Sequence, residues 1–282
     1  MASTQPSPIL CLPAEIRLSI LEHTLPKPLH IVFRPPTHTS GFSSSNPNNP
    51  RGLSLDENYS SSSHLSLLLT CHQFRSDFTH LLFSSTQFVV TDTYTPLPRR
   101  LEVLRQCQIE AIRHIAFVAS ARQFRDLVHW TQHPFNLPNL KLDTLAVVLH
   151  RSAHWHYPSD FTADMVSLLR RLQNVRSLYF IRNGANVKGF FKTWYNRLVG
   201  LVLKEDHWQR YDNPQGPCLE EVWWEWEFDA GGQWFKFKAR KPRRVVGEEA
   251  YLEGVKGLVE GLMREMEGEE EDPDPRARNG WA

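Results

Sequence analysis

Between Ile112 and Phe237 the spacing apolar-x-x-apolar-x-apolar occurs four times: Ile112/Ile115/Phe117, Leu142/Leu145/Val147, Val175/Leu178/Phe180 and Leu219/Val222/Trp224. Short extended segments that return every 30 to 45 residues or so, as these do, point to stacked α/β units (about 20 to 50 residues is the usual range of such periods). Each unit buries its apolar positions against its neighbours, so several are needed to make a core. Helical patterns fill the intervals at 97–111, 122–131, 160–173 and 190–203. Helices between strands imply parallel pairing through right-handed crossovers. The expected fold class is α/β: a short helix–strand repeat array carrying a mostly parallel sheet.

Alternate positions in these strands say what lies on each face. Ile115/Phe117, Leu145/Val147 and Leu178/Phe180 are expected to face the helices. Ala116/Val118, Ala146/Val148 and Tyr179/Ile181 point the other way and are also apolar. That second face is therefore expected to be covered, with the N-terminal helices or a C-terminal helix as the cover. The fourth strand departs from this pattern: Val222, Trp224, Trp226 and Phe228 alternate with Trp223, Glu225 and Glu227. Asp229-Ala230-Gly231-Gly232 reads as a turn into a strand over 233–239, so the sheet is expected to end in an antiparallel hairpin. The expected register sets Trp226 against Phe235, Trp224 against Phe237, Glu225 against Lys236 and Trp223 against Lys238.

Toward the N-terminus, residues 1–8 are polar and expected to be disordered. Pro13 suits a first helical turn and Glu15 the helix dipole. Ile16, Ile20 and Leu21 form a stripe, and Pro26 and Pro28 stop the helix. A short strand is expected over 29–33. Residues 35–63 are mostly Pro, Ser, Asn and Thr and read as a disordered insertion, because so little apolar surface does not offset the entropy of ordering. A helix over 65–84 and a strand at 88–90 follow. At the far end, Tyr251, Val255, Leu258, Leu262 and Met266 mark a helix at about 247–267. Gly254, Gly257 and Gly261 weaken it, so packing or a partner must hold it. The tail beyond Glu267 reads as solvated.

Leu12-Pro13-x-Glu15-Ile16-Arg17-x-x-Ile20, followed by Leu68-Leu69-Thr70-Cys71-x-Gln73-Phe74 and Leu81-Leu82-Phe83, resembles the F-box-like N-terminus common in fungal proteins. Such families continue with a strand like 86–90 and then irregular, leucine-rich-repeat-like α/β units. An F-box is a small helical module that docks on the Skp adaptor of a cullin-based ubiquitin ligase. The resemblance implies an adaptor-binding anchor of Leu12, Pro13, Ile16 and Ile20 with Glu15 on its polar rim. An F-box is normally contiguous, whereas here the 35–63 insertion splits it, and a helix pair that merely caps the array is the structural alternative. The implied domains are an F-box-like module at 9–90, α/β repeats at 91–245, an amphipathic helix at 246–267 and an acidic tail at 268–282.

Charge narrows the partners. The formal net charge of +1 gives no overall pull toward nucleic acid or an anionic membrane, and no run of about 18 apolar residues suggests a membrane span. Cys11, Cys71, Cys107 and Cys218 form no C-x-x-C pair and fit reduced thiols in the cytosol or nucleus. Lys236, Lys238, Arg240, Lys241, Arg243 and Arg244 make a basic run, read as lysines that protect an edge strand from aggregation, or else as an import signal or phosphate-contacting edge.

His150-x-x-x-His154-x-His156 has ligand spacing for zinc, with Asp160 the one further donor nearby, and a metal-dependent enzyme using this loop is a rival reading. Gly184 to Gly189 resembles a phosphate loop but lacks the Lys-Ser/Thr pair after its second glycine. No G-x-S-x-G or H-E-x-x-H occurs. No catalytic, metal or cofactor residue is therefore assigned. The expectation is a non-enzymatic substrate receptor that binds a Skp-type adaptor through 9–90. Its target, a protein of unknown identity, would meet the loops at the strand carboxyl ends and Trp223, Trp234, Lys236 and Lys238 of the hairpin. A scaffold protein without a ligase link is the other rival.

Overall fold

A computed structural model describes residues 7–24, 32–34, 52–56, 58–151, 160–185, 191–244 and 246–270. The N-terminal elements are α1 (Ala14–Thr24), β1 (Phe33–Arg34), β2 (Ser54–Leu55), α2 (Ser61–Leu65) and α3 (His72–Ser85). The repeat region runs β3 (Gln87–Val90), α4 (Leu97–Leu101), α5 (Gln106–Ala111), β4 (His114–Ala119), α6 (Ala121–Val128), β5 (Thr144–Leu149), α7 (Thr162–Arg171), β6 (Ser177–Ile181) and α8 (Phe191–His207). β7 (Trp223–Asp229), β8 (Trp234–Arg240) and α9 (Glu248–Glu270) follow.

One sheet organises the molecule, with strand order β3-β4-β5-β6-β8-β7. The first four strands are parallel and successive, and β8 returns antiparallel between β6 and β7. Successive parallel neighbours joined by helices step in one direction, which puts the helices on one side. The recurring apolar positions become rungs across the sheet: Ile115 sits beside Leu145 and Leu145 beside Leu178, while Phe117, Val147 and Phe180 form the next rung. The fourth copy of the spacing breaks step. β8 intervenes, so Phe237 and Trp226 extend the Leu178 rung, and Phe235 and Phe228 extend the Phe180 rung.

Between sheet and helices lies the main core. Phe124, Leu127, Met165, Leu168, Trp194 and Leu198 pack there against the rung residues. Phe180, Trp194 and Phe235 meet at its centre with ring centroids 4.9–5.4 Å apart. The two most deeply buried indoles are satisfied: Trp194 Nε1 donates to Thr162 Oγ1 at 3.2 Å, and Trp224 Nε1 donates to the Leu169 carbonyl at 2.7 Å.

The second face is covered, as its apolar character requires, but not by a terminal helix. A two-stranded antiparallel ribbon, β1 with β2, lays Val32, Phe33 and Leu55 over Ala116, Val118, Ala146, Val148 and Ile181. Three contacts pin it. Leu53 N–H donates to the Gly232 carbonyl at 2.7 Å, Leu55 N–H donates to Asn183 Oδ1 at 2.9 Å, and Asn183 Nδ2 donates to the Leu149 carbonyl at 3.2 Å. Gly52 sits at φ +65, where a Cβ would lie 2.3 Å from Gln233 Cβ. The expectation of disorder over 35–63 is thus corrected for 52–56 and 58–63, while 35–51 lies outside the described residues. The order comes from tertiary burial of Leu53, Leu55 and Tyr59, which the surrounding serines hide in any local count of hydropathy.

Other boundaries move too. The helix expected over 65–84 breaks at Thr70–Cys71, where Thr70 Oγ1 bonds back to the Leu67 carbonyl and Cys71 Sγ caps the Phe74 N–H of α3. The 97–111 helix is two short ones, α4 and α5. In the hairpin the faces are as expected but the register moves by two residues: Trp226 pairs with Phe237, Trp224 with Ala239, Glu225 with Lys238, Glu227 with Lys236 and Trp223 with Arg240. The connection is Ala230–Gln233, one residue later than expected, because Asp229 Oδ1 accepts from Gly232 N–H and Gln233 takes φ 49. α9 runs on to Glu270, past the expected start of the tail at Glu267. The expectations for 1–6, 25–31 and 271–282 lie outside the described residues.

Candidate functional site

The N-terminal helical face is built around an arginine. Pro8–Cys11 forms a 3-10 turn that leads into α1. Arg17 is the buried residue of α1, and its guanidinium donates to the carbonyls of Leu10 and Leu12 and to Asp77 Oδ2 of α3. With its amide oxygen turned toward the guanidinium, Gln73 accepts from Arg17 Nη2 and Nη1 at 2.9 and 3.1 Å. One cation thereby fixes the entry turn, α1 and α3 together. Packing side chains of α1 (Ala14, Leu18 and Leu21) are half-buried.

The residues singled out from the sequence lie on the other flank. Ile16 is 49% exposed and Ile20 40% exposed, one turn apart, while Pro13 and Glu15 are exposed and Leu12 is half-buried. Leu69, after α2, is 87% exposed. Ile16 and Ile20 thus face outward from a helix that a buried charge anchors on its other flank, and they are surface residues rather than a core stripe. Sequence reading missed Arg17 and Asp77 as the clamp, since a charged residue one place from Ile16 carries no hydropathy signal. The Leu-Pro-x-Glu-Ile spacing located the helix without showing which flank packs.

The hairpin residues separate. Trp223 is only 8% exposed, packed against Leu203, Tyr251 and Val255 and covered by the Arg243 guanidinium 3.8 Å from its ring centroid. It is a packing residue, not a free anchor. Trp234, Lys236 and Lys238 remain half-exposed. Lys236 Nζ lies 2.6 Å from Glu227 and 5.5 Å from the Trp234 centroid, and that carboxylate, more than burial, governs its raised pKa. β8 is interior and β7 is the edge, so these lysines do not guard an edge strand. Lys236 pairs with Glu227 of β7 instead, and Lys238 stands across the register from Glu225, which pairs with Arg240 at 2.7 Å.

At the carboxyl ends of β3 and β4 a cavity of ≈ 430 Å³ opens between the 92–98 loop and α6. Phe117, Leu127, Trp130 and Phe135 line its apolar part, with Asp92, Arg122 and Asp126 among its polar lining. Phe135 holds a left-handed φ of 54 that keeps its ring 4.5 Å from that of Trp130. The Tyr94 N–H, then Thr95 and Arg100, hold the Asp92 carboxyl down to about 2. This is the position where open parallel sheets most often carry binding sites.

His150 is half-exposed at the end of β5, and His154 and His156 lie outside the described residues. Among the described residues no group of three or more His, Cys, Asp or Glu side chains could hold a metal ion. Residues 186–189 of the Gly184–Gly189 segment also lie outside them. All four cysteines are free thiols, and no described helix is long and apolar enough to cross a membrane. No protein-family model, no curated protein and no solved structure matches the chain.

Proposed function

We propose that this chain is a non-enzymatic protein-interaction module, an F-box-like substrate receptor whose N-terminal helices dock a Skp-type adaptor of a cullin ubiquitin ligase. The observation that carries the reading is the outward apolar flank of Ile16 and Ile20 on a helix locked from behind by Arg17. The scaffold alternative gives that helix no task but capping. Yet the β3 edge is already flanked by α2 and by Tyr59, whose hydroxyl donates to the Gln87 carbonyl at 2.8 Å. α1 packs chiefly on α3, outside that edge. On this reading the target meets the cavity at the carboxyl ends of β3 and β4 or the hairpin around Trp234, Lys236 and Lys238. The protein then works in the cytosol or nucleus, where four thiols stay reduced.

The test is co-purification of the full chain with a Skp-type adaptor. Wild type should recover the adaptor, and Ile16→Asp should recover at most about a tenth as much, a loss of about 1.4 kcal/mol or more. The variant's thermal midpoint should stay unchanged, because Ile16 is exposed. Absence of adaptor from the wild-type preparation would leave the scaffold reading in its place.

A further inference from the structure

At the opposite end of the chain α9 is under-packed for what it is. Eight apolar residues between Tyr251 and Met266 share one side of this 23-residue helix, yet only Tyr251 and Val255 are buried. Leu252 is 47% exposed and Met263 57% exposed, with Val259 and Met266 also open to solvent. Gly254, Gly257 and Gly261 lie inside the helix and weaken it, so contacts must hold it. Between α9 and α8 runs a groove of ≈ 300 Å³, lined by Val259, Leu262, Met263 and Met266 on one side and Gly200, Leu203 and Lys204 on the other. Its floor is open at Gly200, where a Cβ would meet no atom within 4 Å.

Charge identifies the occupant. From 248 to 267 the helix carries six glutamates against Lys256 and Arg264. Glu248 is paired with His207 and Glu265 with Lys192. Among the described residues Glu249, Glu253, Glu260 and Glu267 form no ion pair, and helical periodicity sets these four, with Lys256 among them, beside the exposed flank of Leu252, Val259 and Met263, which leaves that flank acidic. We propose that the groove between α8 and α9 receives a basic amphipathic helix of a partner protein. Its apolar stripe would enter between the methionines and Gly200, and its cations would meet the four glutamates. Methionine side chains adapt to such a stripe without a fixed shape. A second copy of this chain offering its own α9 would set glutamates against glutamates, and an anionic lipid surface would be repelled likewise. The inference rests on no part of the adaptor reading, because α1 and α9 are separate surfaces.

The probe is a fluorescent peptide of about 18 leucines and lysines patterned at the helical period, titrated against the full chain and followed by anisotropy. Wild type should bind it saturably, one to one, and more weakly as salt rises. The same peptide with glutamate in place of lysine should not bind. Gly200→Leu fills the groove floor without removing a contact and replaces a glycine inside α8, so it should keep or raise the thermal midpoint and weaken binding about tenfold or more. The paired surface change Glu253→Lys and Glu260→Lys should weaken it comparably while leaving the fold intact. Wild-type binding that does not saturate, or equal affinity in Gly200→Leu, overturns the proposal. So does a concentration-dependent dimer in sedimentation that Gly200→Leu abolishes, since the occupant would then be a second copy.

Discussion

At the scale of single residues, the informative positions are polar groups that the fold has buried. Gln87, at the start of β3, is 1% exposed, and neither side-chain polar atom has a hydrogen-bond partner. A buried amide without partners keeps its full desolvation penalty of about 1–3 kcal/mol. Gln87→Met has nearly the same shape and should therefore raise stability by about 1 kcal/mol in urea unfolding. A loss of stability would mean that the amide does have partners. Across the register from Gln87 stands His114, whose Nδ1 is likewise buried and unpartnered. Burial lowers its pKa from 6.5, and the nearby Arg113 lowers it further against the opposing pull of Asp143. Because the folded pKa is depressed, the unfolded chain binds the proton more readily. The contribution of His114 is thus complete above pH 6.5 and is lost as pH falls below that value toward the folded pKa. His114→Asn should flatten that acid-side decline in a series of unfolding curves.

At the scale of elements, the ribbon over the second face is where local sequence and tertiary structure diverge. Gly52→Ala places a methyl at φ +65 against Gln233 and lifts Leu53 from the Gly232 carbonyl. It should cost about 2 kcal/mol, within the range of strained-backbone substitutions. Phe33→Ala empties a buried site over Val148 and should cost about 3 kcal/mol. Urea midpoints of the two variants check both, and near-zero values would mean that the ribbon is not held on the sheet. The sheet itself was legible because Ile115, Leu145 and Leu178 repeat at a spacing that only stacked units explain. The apolar second face was legible for the same reason, from Ala146 and Val148. The identity of the cover was not, since Leu53 and Leu55 are two leucines in a polar run whose burial depends on residues about a hundred positions away. The hairpin shows the same limit: alternation fixed which side Trp224 and Phe237 face, but the partner of each depended on Asp229 capping Gly232. At the candidate interface the helix was legible from Leu12 to Ile20. Its outward flank was implied by the resemblance but not by hydropathy, because Arg17 rather than an isoleucine is the residue the helix buries.

At the scale of the whole molecule, a buried ionic cluster joins parts of the chain that the repeats alone would leave separate. Arg210, in the π-helical turn Trp208–Asp212 after α8, donates to Asp206 at 2.9 and 3.0 Å and to Glu220 at 2.6 and 2.7 Å. Asp206 also accepts from Arg170 of α7 at 3.3 Å and from the Tyr251 hydroxyl of α9 at 2.8 Å. Glu220 accepts the Arg243 N–H beyond β8 at 2.9 Å. Burial pushes the Glu220 carboxyl above its usual range, against the pull of Arg243 N–H and Arg210. Two carboxylates share one central guanidinium, so that cation sustains the whole cluster. Arg210→Met should leave Asp206 and Glu220 facing each other in the interior and cost about 3–5 kcal/mol, as removal of one partner from a buried pair does. Because Tyr251 is tied to the same carboxylate, the loss should not stay local. Amide exchange along α9 should quicken together with that of α7 and α8, which hydrogen-exchange mass spectrometry reads directly. If α9 alone quickened while global stability held, the cluster would be a latch on one helix. If both fall together, one buried charge couples α9 to the repeat core, and a helix docked in the groove beside α9, as proposed above, should stabilise the entire fold.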